Sequence, residues 1–396
     1  MRSFSVAERR ARLARRHFLT AHAESPADVA AGVVGLHATD PATPYLTLWA
    51  RLAGFTVADL DADLYQRRTL TKHLAMRRTL WIVCADDLPL IQSAASDRVA
   101  ANERRKLVAD AQNAGICADG DAWLDTACTA VLAHLTEHGP TSAKDLRAAL
   151  PQLTGHYDPA PGKRWGGETP LAPRVLTVLA VRGDIVRGPN DGPWTVSRPQ
   201  WASMLDWLPS TRDAIAPEVA RTELVRRWLR TFGPATVTDI KWWFGNTLTW
   251  ARQALRDLEA VEVNLDGAPG FVLPDDLAVE PDAEPWCALL PGLDVTTMGW
   301  FDRDWYLGGH RSQVFDTNGN GGPTIWCNGR IVGGWAQHAD GRVELQLLED
   351  VGRDAKRALT RRADELAEWL GGVRISARFP SPLTRAVGNS QRVTEP

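Results

Sequence analysis

The chain has 396 residues, 44% of them hydrophobic and 23% charged, with a formal net charge of -3. That length exceeds one ordinary core and predicts two to four modules of a globular, not disordered, protein. The near-neutral balance carries no global basic signature, so a nucleic-acid surface is expected only as a local patch. The start, MRSFSVAERRARLARRHF, has no apolar core of a signal peptide, and no run approaches the roughly 18 apolar residues of a membrane span. The five cysteines, Cys84, Cys117, Cys128, Cys287 and Cys327, are scattered without a C-x-x-C pair. They predict neither a zinc site nor a disulfide framework, and they fit a reducing cytoplasm. Phosphate-binding loop, G-x-S-x-G and H-E-x-x-H motifs are all absent.

In chain order, VAERRARLARRHFL (6–19), PADVAAGVVGL (26–36) and PYLTLWARL (44–52) predict three helices. TKHLAMRRTLWIVCADDL (71–88) predicts a hairpin turning near Arg77-Arg78. Next come AWLDTACTAVLAHLTEH (122–138) as a helix, then EHGPTSAKDLRAAL (137–150), in which Gly-Pro ends one helix and Thr141 caps the next. PLAPRVLTVLAVRG (170–183) is a helix, and DIVRGPNDGPWTV (184–196) reads as two strands around a turn. The order then repeats. ARTELVRRWLRTF (220–232) leads into TFGPATVTDIKWWF (231–244), with Thr236 as the cap. LTWARQALRDLEA (248–260) and the hairpin VEVNLDGAPGFVLP (261–274) follow, turning at Asp266-Gly267.

Helix, helix, helix, hairpin is the order of a winged helix. The last third differs. CALLPGLDVTTMGW (287–300), TIWCNGRIVGGW (324–335) and RVELQLL (342–348) predict strands with hairpin turns at Asn328-Gly329 and Asp340-Gly341. GRDAKRALTRRADELAEWLGG (352–372) is a helix with a Gly-Gly stop, and VRISARF (373–379) reads as a last strand. The expected fold class is α+β, mainly α: tandem winged-helix repeats with a C-terminal antiparallel β-module. The expected modules are 1–110, which carries the candidate site, 111–212, 213–283 and 284–396.

Five stretches carry a resemblance: GLHATDP (35–41) with LWARL, MRRTLWIV, the FGPAT segment with Trp242 and Gly245, LLPGLDVTTMGWFDR (289–303), and GPTIWCNGRIVGGW (322–335). Through them most of the chain resembles the winged-helix family typified by the bacterial interstrand-crosslink DNA glycosylases. The resemblance implies hydrolysis of N-glycosidic bonds in DNA. It also implies a Gln-x-Gln or Gln-x-Asp pair, holding the hydrolytic water, where this chain has His37 and Thr39. Here the acid comes one position later, at Asp40. At the position of Trp81 the family usually has histidine.

The chemistry such a site needs is small. An N7-alkylated purine is already cationic while bonded to the sugar, so it leaves as a neutral base and needs no general acid. The protein must position a water and offset positive charge on the sugar, which a carboxylate does. Asp40 is the candidate base, His37 orients the water or takes its proton, and Thr39 adds a hydrogen bond. The plainer reading makes Asp40-Pro41 a helix cap followed by proline. Thr43-Pro44 offers the same arrangement next to the helix, which would leave Asp40 without a structural duty.

Arg77, Arg78 and Thr79 at the hairpin tip are candidates for phosphate contact, and Trp81 for stacking on an extruded base. Trp81 fits equally well as one buried residue of an alternating strand. Arg303 is a candidate DNA contact, with Asp294 in the same block a candidate ion-pair partner. Arg9, Arg10, Arg12, Arg15 and Arg16 are dense enough for a phosphate patch, or form a solvated helix face. The 17 tryptophans, Trp165, Trp242 and Trp243 among them, read mostly as core. NGNGGP (318–323) suggests a loop between strands whose backbone can approach phosphate.

Two functions fit: a monofunctional glycosylase without metal or cofactor, acting on alkylated or crosslinked purines in double-stranded DNA, or a non-catalytic winged-helix DNA binder or regulator. A cleft for a different ligand is a third reading, which charge permits without favouring. In either DNA reading the protein is expected to be a bacterial, cytoplasmic, nucleoid-associated monomer.

Overall fold

The structure is a computed structural model describing residues 1–160, 162–163, 166–209 and 213–389, so Trp165 lies outside the described residues. The chain divides into two units, Met1–Leu60 with Arg221–Pro396, and Asp61–Ala220. The division falls inside the expected 1–110 module: its three helices belong to the first unit and its hairpin to the second.

In the unit Asp61–Ala220, Leu70–Leu74 and Leu80–Cys84 pair antiparallel, with His73 opposite Trp81. The connection turns at Arg77 and Arg78, as expected, with φ of 56° and 60°. Thr79 N donates to Met76 O at 3.1 Å, which makes the turn a type I′ hairpin with two arginines at its centre. Glycine or asparagine usually fills those places, because the left-handed conformation costs other residues about 1–2 kcal/mol each. Helices Asp97–Asn113, Gly120–His138, Ala143–Ala149 and Ala172–Arg182 follow. Leu107, Leu124, Val131, Leu146, Leu176 and Leu179 project from them into one core, closed by Trp201.

Ile185–Asn190 pairs with Pro199–Ser203, and Thr141–Ser142 adds a third strand. Two details differ from expectation. Ser142, not Thr141, caps the helix, accepting from Asp145 N at 3.1 Å, while the Thr141 hydroxyl donates to Gly139 O. The second strand starts at Pro199 and not near Pro193. The Asn190 side chain bonds Pro193 O, Val196 O and Arg198 N, and so holds the intervening residues as a loop.

In the other unit, Ser5 Oγ accepts from Glu8 N and starts helix Val6–Arg16. That helix stops short of the expected Leu19, where Phe18 turns left-handed. Pro26–Gly32 and Thr43–Trp49 are the next helices. Pro217–Phe232 enters this unit at Arg221 and is followed by Val237–Phe244, Leu248–Asp257 and the hairpin Val261–Leu265/Ala268–Val272. That hairpin turns at Asp266-Gly267 and Thr236 caps its helix, both as expected, with Asp239 completing a capping box. Cys287–Leu290, Thr324–Cys327, Arg330–Gln337 and Val343–Leu347 form an open antiparallel sheet in that order.

Helix Gly352–Leu370 packs on this sheet and ends at left-handed Gly371. VRISARF is not a strand. The side-chain amide of Gln337 bonds Val373 O and Ile375 N, serving the backbone that a neighbouring strand would have served.

Tryptophans supply much of this unit's core. Trp228 stacks on Phe232 with ring centres 5.1 Å apart, and Phe232 packs on Trp243 and Trp300. Trp300 donates to Phe232 O at 3.0 Å and packs on Tyr306, which stacks on Trp326. Each indole thus adds apolar area while its N–H finds an acceptor where one is in reach.

One ion pair ties these parts together. Arg51, at the end of LWARL, meets Asp294 of the LLPGLDVTT block with both side chains fully buried. All five guanidinium N–H groups are used. Nε donates to His17 O, Nη1 to Thr47 O and Asp294 Oδ2, and Nη2 to Asp294 Oδ1 and Thr296 Oγ1, each at 2.8–2.9 Å. Asp294 accepts further from Thr47 Oγ1 and Thr296 N. Such saturation is what makes a buried charge pair tolerable.

Removing one partner leaves the other charge buried. Arg51→Met is expected to lower unfolding free energy by about 3–5 kcal/mol, and Arg51→Met with Asp294→Leu by clearly less, read by urea titration. Two buried histidines set an acid limit. His73 is held down to about 4 by burial, and His17 well below its ordinary value by burial and by Arg51. Below about pH 6.5 the unfolded chain therefore binds protons that the folded chain does not. Stability falls as pH drops, by up to about 1.4 kcal/mol per pH unit per histidine, until the folded state also protonates. His73→Gln is expected to flatten the loss between pH 6.5 and pH 4.5. An unchanged slope would show that His73 is not held neutral.

Candidate functional site

The site begins where the chain leaves the short strand Leu36–His37. His37 is buried and Thr39 half-buried. Asp40 is buried too, and it is not idle. Its Oδ1 accepts from Ala42 N and its Oδ2 from Arg378 N, both at 3.0 Å. The first bond turns the chain into helix Thr43–Trp49, and the second holds the segment after helix Gly352–Leu370. Arg378 also donates through Nη1 to Thr39 O. The expectation that Thr43 caps the helix and frees Asp40 is therefore corrected. The helix has no side-chain cap, and Thr43 Oγ1 donates to Gly292 O at 2.7 Å.

A cavity of about 260 Å³ opens beside this carboxylate. Asp40, Thr43 and Leu46 form one wall, Pro291 and Gly292 another, Trp335 and Gln337 a third, and Ile375 and Ser376 close it. Its volume lies just under the roughly 300 Å³ at which small-molecule sites begin. Each Asp40 oxygen accepts one backbone donor, and a carboxylate oxygen has room for a second. The arrangement can hold a water or a small polar group at a fixed place against the charge.

The hairpin-tip candidates belong to the unit Asp61–Ala220. Arg78 is exposed and its Nε lies 2.8 Å from Glu103 Oε1, and Arg77 is half-buried in the same turn. Thr79 donates to Met76 O at 2.8 Å. Trp81 is buried in the hairpin, with Nε1 3.3 Å from Met76 O, so a base-stacking role is corrected to a packing role.

The remaining arginines point inward. Arg303 is buried, donates to Trp300 O, and lies over the rings of Trp242 and Phe315 at 4.7 and 4.5 Å. Burial lowers its pKa, and its guanidinium lies between the two aromatic faces. The expected DNA contact at Arg303 is therefore corrected to an internal cation–π clamp. Along helix Val6–Arg16, Arg12 bonds Asp276 and Ala278 O, Arg16 bonds both oxygens of Asp276, and Arg15 pairs with Glu280. Arg10 reaches Trp305 O, and Arg9 stacks on Trp305 at 4.1 Å, its pKa pulled down to about 10 by burial. Most of this arginine cluster is thus engaged within the protein, with Arg15 alone of the five exposed. In the 318–323 loop, Asp316 accepts from Asn318 N and Asn320 N, which fixes a turn.

Residues that pattern reading missed are Arg378, Asp276 and the Arg51 partner of Asp294. Arg51 lies inside the quoted LWARL motif, but nothing local marks it as a ligand of a residue so distant in sequence.

A family model, DNA glycosylase AlkZ-like, matches residues 30–369. The chain belongs to the AlkZ-like DNA glycosylase family. Among solved structures, the Streptomyces sahachiroi DNA glycosylase AlkZ superposes with a TM-score of 0.73 at 21% identity, covering 95% of this chain and 99% of that one. The likeness is one of fold. A comparison with curated protein sequences finds no match. Among the described residues, no group of three or more His, Cys, Asp or Glu is arranged to hold a metal ion, and no helix is long and apolar enough to cross a membrane.

Asp40→Asn in this AlkZ-like chain must turn an amide N–H toward one of two backbone donors. The loss is expected to be about 1–3 kcal/mol of stability, read by denaturant titration. An unchanged midpoint would mean that the two backbone bonds do not form.

Proposed function

We propose that this chain is a monofunctional DNA glycosylase. It hydrolyses the N-glycosidic bond of a cationic, N7-alkylated or crosslinked purine in double-stranded DNA, and acts as a bacterial, cytoplasmic, nucleoid-associated monomer. The observation that carries the reading is the Asp40 carboxylate, oriented by two backbone N–H groups in the wall of a cavity. In this reading Asp40 holds the water, takes its proton as the oxygen meets the anomeric carbon, and offsets the charge that grows on the sugar. Thr39 and His37 adjoin Asp40 in the chain without lining the cavity; the reading gives Thr39 a hydrogen bond to the water and His37 its orientation. The leaving base carries its own positive charge, so no group need protonate it.

DNA contact is assigned to the hairpin tip. Arg77 and Arg78 would follow phosphates, with Thr79 a neutral donor beside them. The order helix, helix, helix, hairpin supports tandem winged helices at 1–110, 111–212 and 213–283, followed by the β-module 284–396.

Two measurements test this. In a single-turnover base-release assay on duplex DNA carrying N7-methylguanine or an N7 crosslink, Asp40→Asn is expected to lose at least about 100-fold in rate while still binding DNA. An undiminished rate would remove Asp40 from the chemistry. Release by neither protein, with binding intact, would favour the non-catalytic DNA binder. Arg77→Gly relieves the left-handed turn and deletes one cation. It is expected to keep or raise Tm while lowering the slope of log affinity against log salt by about 1. An unchanged slope would detach the hairpin tip from the DNA.

A further inference from the structure

The cysteine pattern conceals one pair. Cys287 and Cys327 are separated by 40 residues in sequence, and their Sγ atoms lie 2.7 Å apart. They face each other across the first two strands of the antiparallel sheet. One step back, Asn328 N donates to Trp286 O at 3.0 Å, so that neighbouring pair is the hydrogen-bonded one. Cys287 and Cys327 therefore occupy a non-hydrogen-bonded pair, where side chains come closest and Cα atoms sit about 4.5 Å apart. A disulfide spans about 4.4–6.8 Å between Cα atoms, so one fits here without backbone movement.

We infer that Cys287 and Cys327 form a dithiol site that a hydroperoxide converts to a cross-strand disulfide. All five cysteines are free, and it is the sheet register, not the sequence spacing, that brings this one pair together.

Access and polarity both suit the reaction. Cys287 is half-buried at the first position of the sheet's edge strand, just after exposed Glu284 and Pro285, while Cys327 is buried on the next strand in. Strand ends at an edge open most readily. The hydrogen bond between the two sulfurs lowers the Cys287 thiol, and the same bond together with burial pushes Cys327 up. Cys287, the more exposed of the two and the one at the edge strand, is the attacking sulfur and Cys327 the resolving one. The Cys287 thiolate attacks one peroxide oxygen. The O–O bond breaks, and the departing hydroxide takes up a proton as water, leaving a sulfenic acid on Cys287. Cys327 then gives up its proton, attacks the Cys287 sulfur and displaces the hydroxyl as a second water. Two thiols and one hydroperoxide (here hydrogen peroxide) become one disulfide and two waters. The closed loop contains Gly292, Asp294 and Thr296, the partners of Thr43 and Arg51.

The test treats the full-length protein with hydrogen peroxide, alkylates the remaining thiols in denaturant, and maps peptides by mass spectrometry. The expected result is loss of two hydrogens, a linked peptide joining positions 287 and 327, and Cys128 still alkylated. Tm should rise by several degrees and return on treatment with dithiothreitol, because the link constrains the unfolded chain. Cys327→Ser should stop the reaction at a sulfenic acid on Cys287, and Cys287→Ser should abolish the Tm shift. Sulfinic or sulfonic acid on wild-type Cys287 without a linked peptide would overturn the inference. So would full alkylation of both sulfurs at peroxide levels that oxidise a free peptide thiol. The wild-type peptide map decides even if a variant fails to fold.

Discussion

A guanidinium with no accessible surface, saturated by five acceptors, is the constraint on which the first unit depends. Arg51 is held at once by the Asp294 carboxylate, two backbone carbonyls and a threonine hydroxyl. Any shift of helix Thr43–Trp49 relative to the 291–297 segment would strand a buried charge. Fixing that helix fixes what precedes it. Thr43 bonds Gly292, and Asp40 sits at the turn into the helix, in the wall of the cavity that Pro291 and Gly292 also line. The ion pair need not add much net stability over an apolar replacement, because desolvation offsets its attraction. What it supplies is registry between two distant parts of the chain.

The same economy of charge runs through the N-terminal helix. A cluster of arginines would suggest a phosphate surface, yet this one is consumed by Asp276, Glu280, Trp305 and backbone carbonyls. Arg303 is likewise enclosed between Trp242 and Phe315. The arginine count of this helix therefore overstates the charge the helix can offer to DNA. Long aromatic stretches and inward guanidinium groups are complementary, since a ring face accepts a cation that has no carboxylate in reach.

Much of the local architecture was legible in the sequence. Asp266-Gly267 at a hairpin tip, Thr236 as a helix cap, and the Gly-Pro stops are short-range signals, and each turned out as read. Arg77-Arg78 was legible as a turn only because two alternating strands flank it; neither residue favours the left-handed conformation it adopts. What was not legible is long-range. Arg51 meets Asp294 across 243 residues, and Asp40 meets Arg378 across 338. No spacing rule reaches that far. VRISARF reads as a strand by composition, but the amide of Gln337 takes up its backbone groups instead. Trp81 and Arg303 were open between a DNA contact and a structural role, and both are buried, because residue type alone does not say which face of a strand or loop the core claims.

The central chemical claim is that a single oriented carboxylate suffices because the leaving base is already a cation. The direct test compares two otherwise identical duplexes under single-turnover conditions, one carrying N7-methylguanine and the other hypoxanthine, a neutral base that needs protonation to leave. The account predicts release of N7-methylguanine and retention of hypoxanthine. Release of hypoxanthine at a comparable rate would require a general acid and would contradict it.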